Sequence, residues 1–323
     1  MNDHSHFWGT VSKPGYYRMS AERYHADPAP EPSLSAGCAI TLLADSPAHA
    51  REDHPRLNWR WKAQRPTQFM IDGSILHHLL LGHGAELVVW PFDDWRTDRA
   101  KAAREETFQA GKMPVLFSRY RQLERVAAAA RTQLRRLPNL PDGIELGEPE
   151  ATLIWQEGTT WCRCRVDYLH VEAGLMVDLK FTSRLANVDT ISRSAADLGY
   201  DVRAAHYARG FERIFGKKPL PYVFVTIELE RPYGISITFP GEQYETRGRE
   251  LWQQALVAFT ACRMANLWPG YSPDPQPLDM PAYAVLQMEK RMERAASQLR
   301  GRIPAKVLKI AEGEVSVPAI AAP

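Results

Sequence analysis

Apolar residues recur every three or four positions over much of the first 137 residues of this 323-residue chain, the spacing of helices that pack on one face. Ser33 or Ser35 can cap one of these stretches and Ser46 another, and Gly82 ends a third. Residues 1–32, rich in proline, are expected to form an irregular arm. The spacing predicts helices over residues 36–44, 47–51, 67–81, 97–110 and 115–137.

The hydrophobic period shortens to two residues after Pro138, Pro141 and Gly143, which break the helical pattern. A hairpin turn is predicted at residues 172–174. Strands flanked by helices along the chain indicate one α/β domain. The alternation predicts strands over 150–156, 161–171, 175–181, 222–230 and 234–239, and helices over 195–215, 243–266 and 284–300.

Two aspartates and a lysine lie on the second and third of these strands. Asp178 and Lys180 are two positions apart, so they share one face of the strand while Leu179 turns into the core. From the preceding strand, Asp167 can reach the same region. A D-x-K triplet alone is as well explained by a surface ion pair, but with Glu150 one strand upstream the combination is more specific.

The chemistry of these side chains suits a metal-dependent nuclease. Carboxylates are the ligands that Mg²⁺ prefers, and Mn²⁺ accepts imidazole as well. Such a metal polarises a phosphoryl oxygen and lowers the pKa of a bound water. Lys180 could orient that water or offset the charge that develops in the transition state.

The net charge of +2 does not by itself indicate a nucleic-acid-binding protein. Basic residues are nevertheless concentrated between residues 96 and 136, where 11 Arg and Lys face 4 Asp and Glu. Such a run is also typical of a solvated helix face. We favour contact with DNA for the stretch from Arg119 to Arg136, because an enzyme that processes duplex DNA needs phosphate contacts.

Cysteine content and hydropathy narrow the classes of protein to which this chain could belong. Cys38, Cys162, Cys164 and Cys262 lack zinc-site spacing and are expected to be reduced and structural. The polar start of the chain does not resemble a signal peptide, and no stretch reaches the roughly 18 apolar residues needed to span a bilayer. We therefore expect a cytoplasmic protein.

Further motifs occur in the order in which one known family carries them. Together with Asp178-Leu-Lys180 they cover roughly residues 15–285. They are Met19-Ser-Ala-Glu-Arg-Tyr24-His, Ser46-Pro-Ala-His49, Gly73-Ser-Ile-Leu-His77, Glu150-Ala-Thr-Leu-Ile-Trp155 followed by Arg165-Val-Asp167, and Gly199-Tyr200 to Tyr207. On these motifs the chain resembles the RecE-type (exonuclease VIII-like) exonucleases of prophages, within the PD-(D/E)xK superfamily.

The resemblance implies an α/β, restriction-endonuclease-like core, in which a central mixed β-sheet flanked by helices carries the active site. It implies Mg²⁺-dependent 5′→3′ degradation of one strand of linear double-stranded DNA, with Mn²⁺ able to substitute. The exposed 3′ single strand would serve phage-type recombination by single-strand annealing. A RecT- or Redβ-like annealing protein and a ring-shaped homo-oligomer, trimer or tetramer, are therefore expected. The implied organisation is an arm over residues 1–14, an exonuclease domain over 15–290, and a basic helix end with a flexible tail over 291–323.

The resemblance also assigns roles to individual residues. Lys180 would be the catalytic lysine, Glu150 would support the metal or its water, and Tyr207 would buttress the site. The metal ligands would be His77, Asp167, Asp178 and the backbone carbonyl of Leu179. Candidate DNA-binding residues are Arg119, Arg125, Arg165 and Arg203.

Several positions leave alternatives open. Spacing from Gly73 favours His77 over His78, and Glu148 competes with Glu150 as the third acid. His206 is expected on a helix surface. Trp155 and Trp161 are expected in the core.

Arg203 departs from the family pattern, which has glutamine at the first position of a Q-x-x-x-Y motif. Arginine could contact a DNA phosphate or pair with an acid, but unlike glutamine it cannot accept a hydrogen bond.

Three other functions compete with an exonuclease. A related nuclease with an iron–sulfur cluster would need several cysteines after the last helix, but only Cys262 lies downstream, so no such cluster is expected. A site-specific endonuclease would use the same chemistry. A catalytically silent module that binds DNA or a partner would not need the set Asp167, Asp178 and Lys180.

Overall fold

The computed structural model describes residues 9–62, 65–135, 147–300 and 302–311, and the chain divides into two compact units, Met1–Tyr271 and Ser272–Pro323. The strands of the first unit are β1 (Gly15–Tyr17), β2 (Leu34–Ser35), β3 (Leu87–Trp90), β4 (Met113–Leu116), β5 (Glu148–Glu157), β6 (Thr160–His170), β7 (Leu175–Thr182), β8 (Val223–Glu228) and β9 (Ile235–Thr238). Its helices are α1 (Ala21–His25), α2 (Ala36–Ala44), α3 (Pro47–Glu52), α4 (Gln68–Leu81), α5 (Asp98–Gln109), α6 (Phe117–Leu134), α7 (Val188–Asp197), α8 (Tyr200–Phe215) and α9 (Glu242–Ala265). The second unit contains α10 (Ala282–Leu299) and α11 (Ala305–Ala311).

A mixed sheet forms the centre of the first unit. In the described part of the chain it has the strand order β1-β5-β6-β7-β8-β9, and the short β2 lies parallel to β6. Strands β5, β6 and β7 are antiparallel neighbours, whereas β7 and β8 are parallel because α7 and α8 connect them. The predicted α/β architecture, a mixed sheet flanked by helices, is confirmed.

Each face of the sheet has its own apolar core. Along β7, Met176 belongs to the core formed with α2, α8 and α9, whereas Val177 and Leu179 belong to the core formed with α4 and α6. Trp155 is 1% exposed, in the first of these cores, as predicted. A Cβ at position 210 of α8 would approach the Trp155 ring to 2.7 Å, so this close packing requires glycine.

Short strands account for the largest difference from the predicted elements. Residues 113–116 form β4, parallel to β3, and α6 begins only at Phe117. A run of four apolar residues fits a helix and a strand equally well, and only its pairing with β3 decides between them. The predicted break at Pro138, Pro141 and Gly143 lies outside the described residues.

The segment predicted as one helix over 195–215 is instead the end of α7 followed by α8. Gly199 separates them with φ 63°, a left-handed conformation that glycine adopts without strain. The predicted irregular arm contains α1 and β1, which pairs with β5. A helix, α11, lies within the predicted loose tail.

A buried polar network attaches this arm to β6. The Ser33 N–H and hydroxyl donate to the Asp27 carboxylate over 2.9 and 2.6 Å. Arg163 of β6 lies 3.2 Å from the same carboxylate and donates to the Ser33 carbonyl over 2.7 Å. The buried charge of Asp27 is therefore paired, as burial of a charge requires.

His206 lies in the core and not on the helix surface, so that prediction is wrong. Its side chain is fully buried beneath Trp155 and Trp252. The Trp252 indole N–H donates to Nδ1 over 2.9 Å, so the ring proton is on Nε2, which donates to the Arg163 carbonyl over 3.0 Å. Burial lowers the pKa of His206 to about 4, which keeps the imidazole neutral.

We expect the free energy of unfolding to fall as the pH is lowered from about 6.5 to about 4. Below pH 6.5 the unfolded chain binds a proton that folded His206 does not accept until its own pKa of about 4 is reached. At about 1.36 kcal/mol per pKa unit, His206 alone contributes roughly 3 kcal/mol to this loss. Urea unfolding at several pH values measures it.

Because burial also lowers the pKa values of His25 and His54 to about 4, variants are needed to isolate His206. His206→Gln should be less stable at pH 7.5 but depend less on pH, whereas exposed His83→Gln should keep the wild-type dependence. Equal pH dependence in His206→Gln and the wild type would contradict this account.

No helix among the described residues combines the length and the apolar character required to cross a membrane.

Candidate active site

The site lies where β6 and β7 separate. The ladder between them ends at the pair Tyr168–Val177. Asp167 and Asp178 are the next residue on each strand beyond that pair. In the gap, the Leu179 N–H donates to Asp167 Oδ2 over 2.7 Å. A strand residue directs its N–H and C=O to the same edge, so the Leu179 carbonyl also faces this gap. Two acidic residues and a backbone oxygen therefore come together at one point of the sheet.

Asp178 and Lys180 share a face of β7, as the alternation predicts. Asp178 is 3% exposed and its Oδ2 forms an ion pair with Lys180 Nζ. The Lys180 ammonium also lies 5.7 Å from the centre of the Tyr200 ring. Leu179, between them, is 2% exposed in the opposite core. The Lys180 charge is thus held between a carboxylate and an aromatic face.

His77 approaches from α4 on the other face of the sheet. Its Nε2 lies 3.8 Å from Asp167 Oδ2, and its ring packs edge-on against Phe181 with ring centres 5.5 Å apart. The neighbouring His78 has a buried Nδ1 that no described side chain or backbone group contacts by hydrogen bonding. Of the two histidines, His77 is the one that approaches Asp167.

Electrostatics at Asp167 favours a bound cation. Burial raises the pKa of Asp167, and the nearby Asp178 carboxylate raises it further, while His77 and Lys180 oppose the shift. Bringing a positive charge close to both carboxylates would offset the cost of burying them together.

The donor set at the gap has the chemistry of a divalent-cation site without a preformed ligand geometry. Within the described ranges, no three His, Cys, Asp or Glu side chains form a ready metal cluster. The 3.8 Å between His77 and Asp167 nevertheless falls within the separations of two ligands on one octahedral ion, about 3.0–4.2 Å for bonds of about 2.1 Å. Carboxylate and carbonyl oxygens with one imidazole suit Mg²⁺ or Mn²⁺. The chemistry of the donors fits such an ion, although Asp178 now pairs with Lys180.

Glu150 lies beside the gap on β5. The β5–β6 ladder pairs Pro149 with Tyr168 and Ala151 with Val166, so Glu150 and Asp167 both lie between these two pairs. The Glu150 side chain forms an ion pair with Arg165. Its backbone has φ 52°, a costly conformation for a residue other than glycine and one that often occurs at functional sites. Glu148 instead pairs with exposed Arg18, so Glu150 is the acid placed next to Asp167.

Tyr207 supports β6 from α8. Its hydroxyl donates to the Arg165 carbonyl over 3.0 Å, two residues before Asp167. Its ring lies edge-on to Tyr222, with centres 5.2 Å apart. The Tyr207 hydroxyl contacts the backbone of β6 and not the Asp178–Lys180 ion pair, so Tyr207 can hold β6 in position.

Arg203 lies on the same helix, next to the acidic residues. Burial opposes its charge, but the nearby Tyr207 and Asp178 outweigh burial and raise its pKa above the ordinary value. Its Nε is buried and forms no hydrogen bond with any described group. A guanidinium with an unpaired Nε–H donor therefore lies beside the acidic residues.

The predicted DNA contacts of α6 differ from one arginine to the next. Arg119 donates to the buried Asp72 carboxylate over 3.2 and 2.6 Å, which makes it a structural partner of α4. Arg131 donates to the Leu79 carbonyl. Arg125 is exposed, and no described carboxylate pairs with it. Of these three side chains, Arg125 alone is free for DNA.

Other family-like motifs have structural explanations. Ser46 caps α3, with its hydroxyl 2.7 Å from His49 Nδ1 and Pro47 in the first turn. Ser20 caps α1, and Arg163 lies 5.6 Å from the centre of the buried Tyr24 ring. Tyr200 also belongs to the site, because its ring lies under the Lys180 ammonium. The sequence did not indicate this contact.

Two features define the class of this protein: the mixed sheet, and the acidic residues and lysine at the gap between β6 and β7. They are those of a nuclease-like PD-(D/E)xK domain. A family model described as a PDDEXK-like domain of unknown function (DUF3799) matches residues 39–278. Since this is well over half of the chain, the protein belongs to that family.

A solved structure supports the fold. A crystal structure of a protein described as a "putative exonuclease" from Eubacterium rectale superposes with a TM-score of 0.55 at 15% identity, covering 82% of this chain and 96% of its own. A second structure, described as SSO0001, reaches a TM-score of only 0.25 at 12% identity, covering 60% of this chain and 87% of its own, and carries no argument. No curated protein matches the sequence.

Proposed function

We propose that this protein is a metal-dependent exodeoxyribonuclease that degrades one strand of linear double-stranded DNA in the 5′→3′ direction. The observation that carries the proposal is the gap between β6 and β7, where Asp167 binds the Leu179 N–H beside the Asp178–Lys180 pair. The PDDEXK-like family and the exonuclease-like fold support this chemistry. The RecE-type motifs support the exonucleolytic mode and the polarity.

His77, Asp167, Asp178 and the Leu179 carbonyl would hold the cation, Mg²⁺ with Mn²⁺ as a substitute. Such an ion polarises a phosphoryl oxygen and lowers the pKa of a bound water. Lys180 orients the attacking water and offsets negative charge on the phosphate as the transition state forms. Tyr207 acts through the backbone of Arg165 and is a positioning residue.

Glu150 and the arginines act around this centre. Glu150 pairs with Arg165 and would support a water bound to the cation. Arg203 and Arg125 bind DNA phosphates, Arg203 close to the acidic residues and Arg125 on the outer surface of α6.

The exposed product is a 3′ single strand, suited to a RecT- or Redβ-like annealing partner in prophage recombination. A ring-shaped trimer or tetramer around the duplex would keep the enzyme on its substrate. Digestion of linear duplex DNA that stops in EDTA and resumes with Mg²⁺ or Mn²⁺ tests the chemistry. Digestion that persists in EDTA, or that never occurs with either metal, would contradict it.

His77→Ala should raise the Mg²⁺ concentration needed for half-maximal digestion by at least about tenfold, because it removes a ligand and not the attacking group. A Mg²⁺ titration of the digestion rate measures this. His78→Ala is the matched control, since His78 lies one residue away without reaching Asp167. An unchanged Mg²⁺ requirement in His77→Ala would exclude His77 as a ligand.

Arg203→Gln should weaken duplex binding and reduce its salt dependence, by about 0.9 in the slope of log affinity against log salt for each phosphate that the variant no longer binds. Fluorescence anisotropy with labelled duplex in EDTA, at several salt concentrations, measures the slope. Arg247→Gln, which removes an exposed arginine paired with Glu250, is the control. A slope unchanged in Arg203→Gln would mean that Arg203 pairs internally with the acids.

A further inference from the structure

A second candidate binding site lies beside α5, and none of its lining residues belongs to the strand gap. It is a surface cavity of ≈ 410 Å³, within the range of about 300–1,000 Å³ typical of small-molecule sites. Three cationic side chains and one carboxylate line it, together with two aromatic rings. The lining includes Arg65, Trp95, Lys101, Arg104, Glu105 and Phe108.

Arg104 is the central cation of this cavity. Its guanidinium carbon lies 5.5 Å from the centre of the Trp95 ring and 5.7 Å from that of Phe108. No carboxylate in the part of the chain that the structure describes pairs with it. Aromatic contacts fix the plane of the guanidinium and leave its N–H donors for an oxyanion.

The other cations are paired only at the surface. Arg65 contacts Glu105 over 2.6 Å, and Lys101 contacts Asp98 over 3.4 Å, in both cases between exposed or part-exposed side chains. Such pairs contribute little to stability and are readily exchanged for another anion. The cavity therefore keeps an excess of positive charge for a ligand.

Aromatic rings continue from the cavity along the segment between β3 and α5. The Phe92 and Trp95 rings lie edge to face, with centres 6.3 Å apart, and Trp90 stacks on Phe92 with an interplanar angle of 12°. The Arg99 guanidinium lies 6.0 Å from the Phe92 ring. Aromatic faces interleaved with arginines are the combination that binds single-stranded nucleic acid.

We propose that this cavity binds a nucleotide of single-stranded DNA, with the base against Trp95 and the phosphate on Arg104. An unpaired strand is required because the bases of a duplex are stacked on one another and present no free face. The proposal rests on the proposed function in one respect: the exonuclease supplies such a strand as its product. The cavity would then hold the undigested strand.

The test is the binding of a fluorescein-labelled 20-nucleotide oligo-dT to the full chain in EDTA, measured by anisotropy. Trp95→Ala should weaken binding roughly 5- to 100-fold, the effect of removing one aromatic ring on which a base stacks, while Trp95→Phe keeps a ring and most of the affinity. Arg247→Ala, an exposed arginine on α9, is the control and should bind like the wild type.

Arg104→Gln provides a second test, because the salt dependence of binding would not change if Arg104 had only a structural role. The slope of log affinity against log salt should fall by about 0.7, because the variant no longer binds one phosphate of the single strand. Circular dichroism establishes which variants fold; if Trp95→Ala does not, Arg104→Gln carries the test. Unchanged affinity in folded Trp95→Ala, an unchanged slope in folded Arg104→Gln, or a wild type that does not bind oligo-dT would overturn the proposal.

Digestion of linear duplex by the same proteins separates this proposal from the proposed function. A wild type that binds oligo-dT through Trp95 and Arg104 but does not cut DNA would leave this site standing and contradict the nuclease. A wild type that cuts DNA while Trp95→Ala and Arg104→Gln bind oligo-dT normally would support the nuclease and contradict this site. Displacement of oligo-dT by equimolar dTMP would identify a mononucleotide site and overturn binding of a strand.

Discussion

Asp178→Asn is expected to reduce digestion of linear duplex DNA by about three orders of magnitude or more. The side chain is nearly isosteric but loses the charge that holds a cation, and a catalytic metal contributes several kcal/mol at about 1.36 kcal/mol per tenfold in rate. DNA binding should be retained or strengthened, because a negative charge is removed beside the bound phosphate. Digestion rates and anisotropy in EDTA measure the two quantities.

The matched control is Asp189→Asn, an exposed aspartate in the first turn of α7. It changes the net charge equally and should leave digestion unaffected. Folding should survive Asp178→Asn, because the substitution also removes the repulsion between the Asp178 and Asp167 carboxylates. Near-normal digestion by the variant would remove Asp178 from the metal site.

Lys180→Gln is expected to lower the digestion rate roughly 10²- to 10³-fold at saturating Mg²⁺, the usual effect of removing one preorganised electrostatic group. The Mg²⁺ requirement should change little or fall, since Asp178 loses its competing partner and becomes available to the cation. This combination distinguishes Lys180 from a metal ligand, whose loss raises the requirement. Single-turnover digestion across a Mg²⁺ titration measures both.

Lys112→Gln serves as the control, because Lys112 forms an ion pair with Glu86 over 2.8 Å far along the chain from the gap. It should keep the wild-type rate and metal dependence. A Lys180→Gln variant that digests DNA at close to the wild-type rate would show that the ammonium does not act on the attacking water.

The parts of the site that were predictable are local in sequence. Asp178, Leu179 and Lys180 alternate on one strand, so strand periodicity alone places the first and last together and the middle one in the core. Helix caps were similarly visible, because Ser46 and Gly82 act within their own turns. In each case the physical cause lies within a few residues of its effect.

What was not predictable depends on residues distant in the chain. β4 is a strand because β3 pairs with it, and His206 is buried because Trp252 and Arg163 surround it. Nothing in the sequence around Glu150 indicates its left-handed backbone, since glutamate rarely adopts that conformation. These features require the assembled sheet.

The arginines show the same limit. DNA contact was predicted for the stretch from Arg119 to Arg136, but charge density does not show which guanidinium already has a partner. Arg119 neutralises the buried Asp72, whereas Arg104 stacks on aromatic rings without a carboxylate among the described residues. Charge density alone therefore does not separate arginines that neutralise a buried acid from those without a carboxylate partner.

The central claim is tested most directly by digesting linear duplex DNA, phosphorylated and labelled at one 5′ end, beside a closed circular duplex with Mg²⁺. The account predicts release of the 5′ label from the linear substrate, survival of the circle, and loss of the activity in Asp178→Asn. Cutting of the circle would indicate an endonuclease, and tight binding without any cleavage would indicate a binding module; either result would contradict the account.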